Sequence, residues 1–176
     1  MIAPLSLSNV LTVFLAFACL WAIVPQARGD SVRVWRLAVP PSFATVQALV
    51  LLAGVFDASL FHDAEWIGAG LVGAICGRLR GWSLPMQIDR MRDMVRLRPS
   101  LDSHLAALGL VVLSAIDFTS ATLEYPIVPT DLVAAGAAFL AGYIGCRALS
   151  IGVRATRMTP ATSSPSTPAG TSLPPS

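Results

Sequence analysis

Two aspartates are the residues in this chain whose placement most invites chemistry. Asp57 and Asp117 each sit inside an apolar stretch, VLLAGVFDAS and LVVLSAIDFT, and at an offset of 60 the two stretches align with the aspartates superposed. An ionisable group inside an apolar span is costly and points by default to function. A pair of such carboxylates would bind a proton or a small cation, or serve as general acid and base. Asp57 is followed by Ser59, His62, Asp63 and Glu65, and Asp117 by Thr119 and Ser120. Both aspartates fall within about two turns of the outer end of a predicted span. The plainer alternative is therefore an interfacial carboxylate hydrogen-bonded to a neighbouring helix or loop. The acid–base reading lacks companions, because the chain offers no evident nucleophile, ligand cluster or glycine-rich phosphate loop. Its only histidines are His62 and His104. Cys19, Cys76 and Cys146 lie in apolar runs without a C-x-x-C pair, as small buried hydrophobes do, and predict neither a disulfide nor a metal site. The expectation is no cofactor, no metal and no enzymatic activity.

The second chemical feature is QIDRMRDMVRLRP at residues 87–99, with Arg90, Arg92, Arg96 and Arg98 among Asp89 and Asp93. Alone, such a run suggests a grip on nucleic acid. The whole chain argues otherwise. Its 176 residues are 55% hydrophobic and 12% charged, about half the charge of an ordinary globular domain. The net charge of +2 is too small for a dedicated nucleic-acid binder. Lipid is the solvent this composition fits. All twelve basic residues are arginine, a pattern read as genome composition.

A membrane-crossing helix needs about 20 predominantly apolar residues. Five segments approach that standard, over residues 5–25, 43–61, 66–79, 105–121 and 132–151. The fold class expected is all-α integral membrane, with one domain over 1–155 and a disordered Pro/Ser/Thr tail over 159–176. The first segment has no basic residue before it and no clear cleavage site after it, so it is read as a retained helix. The third is the shortest: 14 residues reach about 21 Å against a core of roughly 30 Å. Snorkelling by Arg78 and Arg80 would lengthen it, and a re-entrant segment is the alternative.

Arginine placement gives an orientation. Arg28, Arg33 and Arg36 follow the first segment, Arg78, Arg80, Arg90, Arg92, Arg96 and Arg98 follow the third, and Arg154 and Arg157 follow the fifth. The other connections, around Asp63 and Glu65 and around Glu124 and Asp131, hold acid and no base. Short basic loops stay in the cytoplasm, so five spans predict the N-terminus outside and the C-terminus inside. Arg78, Arg80, Arg90, Arg92, Arg96, Arg98 and Arg147 are then expected to anchor the inner leaflet by meeting its anionic lipids.

A second alignment, at an offset of 69, sets LVGAICGR over LAGYIGCR and superposes Gly73, Ile75 and Arg78 on Gly142, Ile144 and Arg147. Together the two offsets describe a pair of parallel helical-hairpin repeats; chance likeness between apolar helices is the alternative. Gly73-x-x-x-Gly77 suits close helix packing and self-association, so a homo-oligomer or a membrane-protein partner is expected.

For residues 82–99 two structures compete. Leu84, Ile88, Met91 and Val95 recur as an amphipathic surface helix would require. Met86 with Ile88, and Val95 with Leu97, alternate as strands do. The order of features resembles a group of small bacterial inner-membrane proteins of unknown function near the CcdC-like membrane proteins. The residues carrying the likeness are the first loop RVWRLAVPP, the short glycine-rich helix, and a D-R-x4-V-x-L-x-P-S stretch at Asp89, Arg90, Val95, Leu97, Pro99 and Ser100. That group tends to close on Pro-Gly-Ser where this chain has Arg98-Pro99-Ser100. The resemblance implies a cytosolic β-hairpin in this loop and multi-pass residence in the bacterial inner membrane, and it carries no catalytic residues. On these grounds the expected role is that of a structural or accessory membrane component. A small proton- or cation-coupled transporter using Asp57 and Asp117 is the alternative.

Overall fold

The structure is a computed structural model and describes residues 7–55, 60–89, 94–123 and 128–157. Its elements, in chain order, are α1 (Leu7–Arg28), β1 (Ser31–Arg33), a 3-10 turn (Val34–Ala38), α2 (Val39–Val55), α3 (Leu60–Ser83), β2 (Met86–Asp89), β3 (Met94–Leu97), α4 (Asp102–Leu123) and α5 (Thr130–Arg157). Four stretches are long and apolar enough to cross a membrane: Leu7–Gln26, Val34–Ala53, Asp102–Leu123 and Thr130–Arg157. Helix α3 is not among them. It runs 24 residues instead of the 14 expected and carries Asp63, Glu65, Arg78 and Arg80.

The surface identifies the solvent. Phe14, Trp21, Leu71 and Leu149 are all more than half exposed, while Thr12, Gln26, Gln47 and Ser114 are buried. A protein made for water would reverse this. In hydrocarbon every polar group must find its partner inside the protein, and apolar side chains may face out freely. The chain is a membrane protein by this pattern and by its four apolar helices.

Local chemistry sets the helix ends. Helix α1 stops at Gly29, whose φ of 78° only glycine takes readily. The amide of Asp30 donates to the Pro25 carbonyl (3.1 Å) and that of Gly29 to the Gln26 carbonyl (3.3 Å), so two otherwise orphaned acceptors are satisfied. Pro40 and Pro41 fall in the first turn of α2, where a missing N–H costs nothing.

Four helices form a ring in which α1 packs on α2, α2 on α5, α5 on α4 and α4 on α1, around Ala16, Cys19, Ala44, Ala107, Leu110 and Ala137. Helices α1, α3 and α5 run one way and α2 and α4 the other. The pairings that fix these directions are Cys19 with Pro40, Thr12 with Ser114, and Gly109 with Leu140.

Helix α3 stands outside the ring, parallel to α5, and these two form the most extensive helix contact in the molecule. Gly73 lies against the backbone of Phe139, Gly77 against that of Tyr143, Gly81 against Arg147, and Gly142 against Gly70. The small-residue motif is thus spent within the chain. This is the close helix packing the sequence predicted from Gly73 and Gly77, with a third member, Gly81, that the reading did not include.

The three strands close one end of the bundle as an antiparallel sheet in the order β1-β3-β2. The hairpin, favoured over the surface helix, pairs Met86 with Leu97 and Ile88 with Val95. A third strand that the sequence did not suggest adds Val32 opposite Val95. Alternation explains the face: Val95 and Leu97 are buried and Arg96 is exposed. Val32, Val95 and Leu97 pack with Leu37, Leu84, Ile151 and Ala155 into a second small core under the sheet.

Candidate functional site

The described arginines at the end of α1, on and just after β1, near the end of α3, on and just after β3, and in the last turns of α5 gather at the sheet end of the bundle. Their side chains do more than carry charge. Arg154 Nη1 donates to the carbonyls of Gly81 and Leu84, both at 2.8 Å, and so caps the exposed acceptors at the end of α3. Arg96 Nε donates to the Gly29 carbonyl at 3.1 Å and ties β3 to the end of α1. Arg80 pairs with Asp102 and joins the end of α3 to the start of α4. Arg36 lies over the Trp35 ring at 5.5 Å. Arg78 and Arg98 are exposed. Arg90 and Arg92 lie outside the described residues.

Arg147 departs from its expected place among the headgroup anchors, since only 5% of it is exposed. Its Nη2 donates to Ser100 Oγ at 3.1 Å, and its Nε has no hydrogen-bond partner. Among the described residues it forms no ion pair, because the nearby Asp102 is held by Arg80. Ser103, 4% exposed, has an unpartnered Oγ as well. Both side chains line one small chamber, walled also by Ile23 and Gln26 of α1, Pro40 and Pro41 of α2, and Ile144 of α5. The repeat alignment equates Arg147 with Arg78 and Ile144 with Ile75, yet the α5 members are buried and the α3 members exposed. Central and peripheral helices give equivalent sequence positions different surroundings.

Of the predicted carboxylate pair, Asp57 lies outside the described residues. Asp117 is half-buried on α4, with no partner among the described residues. Thr119 Oγ1 bonds to carbonyls of its own helix, Ala115 and Ile116. One turn below Asp117 is a polar cluster that sequence reasoning missed. Gln47, fully buried, donates from Nε2 to Ser114 Oγ (2.7 Å) and to the Leu110 carbonyl (3.2 Å). Ser114 Oγ in turn donates to the Thr12 carbonyl at 3.4 Å, and Gln47 Oε1 is left unpartnered. A glutamine in the middle of an apolar helix was the available signal.

The cysteines do not share one environment. Cys19 is buried with its Sγ against the Pro40 carbonyl (3.4 Å), Cys146 is half-buried, and Cys76 is exposed on the outer face of α3. The expectation of three buried thiols fails at Cys76 because α3 turns that face away from the ring.

Along the outer side of α5 run two adjoining apolar hollows. One, of about 730 Å³, lies between α5 and the start of α2; the other, of about 390 Å³, lies between α5, α2 and α3. They share Thr45, Gly145 and Leu149 as walls. The floor is small: Gly152 has nothing within 4 Å of where a Cβ would stand, and Gly145 has only Pro41 at 3.9 Å. The chain matches no protein-family model, no curated protein and no solved structure.

Proposed function

We propose that this chain is a structural or accessory component of a bacterial inner membrane, one that receives a transmembrane helix of another membrane protein in the hollow beside α5. The observation that carries the reading is the small-residue floor at Gly145, Ala148 and Gly152, open to the outside. Small residues let helix backbones approach closely, which is what drives association where lipid removes the hydrophobic term. The hollows extend from Ala134 to Thr156, a rise of roughly 33 Å at 1.5 Å per residue, which matches the bilayer core.

In this reading α3 completes five crossings, with the N-terminus outside and the arginine-bearing sheet end at the anionic inner leaflet. The length of α3 and its parallel seat on α5 support that count. Kinship with the CcdC-like group belongs to the same proposal, and the β2–β3 pair supports it. No enzymatic role, cofactor or nucleic acid enters it.

The test is site-specific photocrosslinking in cells from a probe at Val153. A discrete adduct is expected, and Gly152→Leu should abolish it while leaving the purified chain equally stable. An adduct that persists in Gly152→Leu, or one shown to contain only lipid or a second copy of this chain, would refute the accessory reading.

One observation favours the transporter reading: the buried Thr12–Gln47–Ser114 cluster, with its free acceptor, one turn from Asp117. It predicts that Asp117→Asn removes a proton or cation leak from proteoliposomes. A wild-type protein with no leak would end it.

A further inference from the structure

We infer that the chamber under the sheet is a binding site for one small monovalent anion of the chloride class. Two buried donors face it without an acceptor, Arg147 Nε and the Ser103 hydroxyl. They come from different helices, and no side chain of the described protein answers either. A buried guanidinium lacking a counter-charge is costly. The charged or titratable groups within its electrostatic reach are Asp102, Arg80 and Tyr143. Asp102 is paired to Arg80, which offsets part of its pull on Arg147, and Arg147 has no ion-pair partner of its own among the described residues. Helix α4 begins at Asp102 and brings the partial positive charge of its N-terminus to Ser103. Gln26, also buried, adds a side-chain amide to the wall.

Size limits the occupant, and charge then chooses it. The chamber offers about 10 Å³ to the centre of a water-sized sphere, the lower bound for one water. A phosphate or a lipid headgroup is too large, and a chloride, somewhat larger than a water, is seated only if the chamber walls give slightly. A water would accept from one donor or both and leave the charge uncompensated. A halide accepts from both and neutralises it.

The test uses the full chain in detergent micelles, with chloride exchanged for gluconate at constant ionic strength. Thermal unfolding and the ³⁵Cl NMR linewidth are followed together. Chloride should raise Tm and broaden the line saturably. Ser103→Ala, which removes one donor without opening the fold, should weaken the apparent affinity on the order of tenfold. Arg147→Gln should abolish the response; if that variant fails to fold, Ser103→Ala decides. No chloride dependence in the wild type would assign the chamber to a water and overturn the inference. So would an identical response in wild type and Ser103→Ala, which would place the ion elsewhere.

Discussion

Replacing Gly77 by alanine adds one methyl group, and the structure says where it would go. Its carbon would stand 2.1 Å from the Tyr143 carbonyl oxygen and 2.8 Å from the carbonyl carbon. An ordinary contact begins near 3.4 Å, so α3 must retreat from α5 by about 1.3 Å. The obstacle is backbone, which cannot rotate aside. The neighbouring contact at Gly73 is as tight, that at Gly81 is close, and both would open with it. Overpacking of this kind costs typically 1–3 kcal/mol. Opposing it, alanine is the better helix former by about 1 kcal/mol. The steric term should win at Gly77 by about 1 kcal/mol or more, whereas at Gly68, with nothing within 4 Å, only the propensity gain remains. Reversible unfolding of purified protein in mixed micelles reads the difference: Gly77→Ala destabilised, Gly68→Ala unchanged or stabilised. Equal effects at the two positions would refute the close α3–α5 contact.

Other outcomes follow from the same geometry. Arg154→Ala removes both donors that cap α3 and should cost about 1.5–3 kcal/mol, with faster amide exchange confined to residues near Ser83. Arg80→Ala breaks an ion pair whose members are 46% and 28% exposed, so its cost should be small and smaller still in high salt; a salt-independent loss would contradict this. At Gly29, a Cβ would meet both a positive φ and Pro99 at 2.9 Å. Asparagine tolerates that φ but not the contact, so Gly29→Asn should destabilise as Gly29→Ala does, by thermal denaturation. With the native cysteines replaced by alanine, single cysteines at Glu65 and Arg98 should label with a membrane-impermeant maleimide from opposite sides of the membrane; labelling from one side would remove α3 from the spans.

The sequence was most informative where one element decides its own surroundings. The alternation of Val95 and Leu97 with arginines put the hairpin on a par with a surface helix, and only the resemblance favoured it, whereas Gly73 and Gly77 announced a close contact by their spacing. Strand β1 was not, since three residues, Ser31 to Arg33, show no period and their pairing depends on β3. Helix α3 was drawn too short because hydropathy falls at Glu65 and again at Arg78 and Arg80. Arginine is nonetheless a good helix former, and Asp102 and Arg154 hold that end in place. Arg147 was misplaced for another reason. Its sequence surroundings match those of Arg78, and only the seat of α5 within the ring buries it. The candidate anion chamber was hidden for the same cause, as its two donors are 44 positions apart and meet only in the folded bundle. The carboxylate pair was proposed from alignment, and its Asp57 member and the tail from residue 159 lie outside the described residues.

The seat of α3 also bears on how the chain is made. Its glycines find their partners 66 positions later, Gly73 at Phe139 and Gly77 at Tyr143. During synthesis α3 therefore emerges before the surface that receives it, and it waits through the hairpin and all of α4. Its acidic start and basic end leave it the least lipid-compatible helix during that wait. Biogenesis is in this sense closed by the last helix: a chain stopped at residue 128 would present α3 as an orphan to membrane quality control, which a pulse-chase would register as rapid degradation.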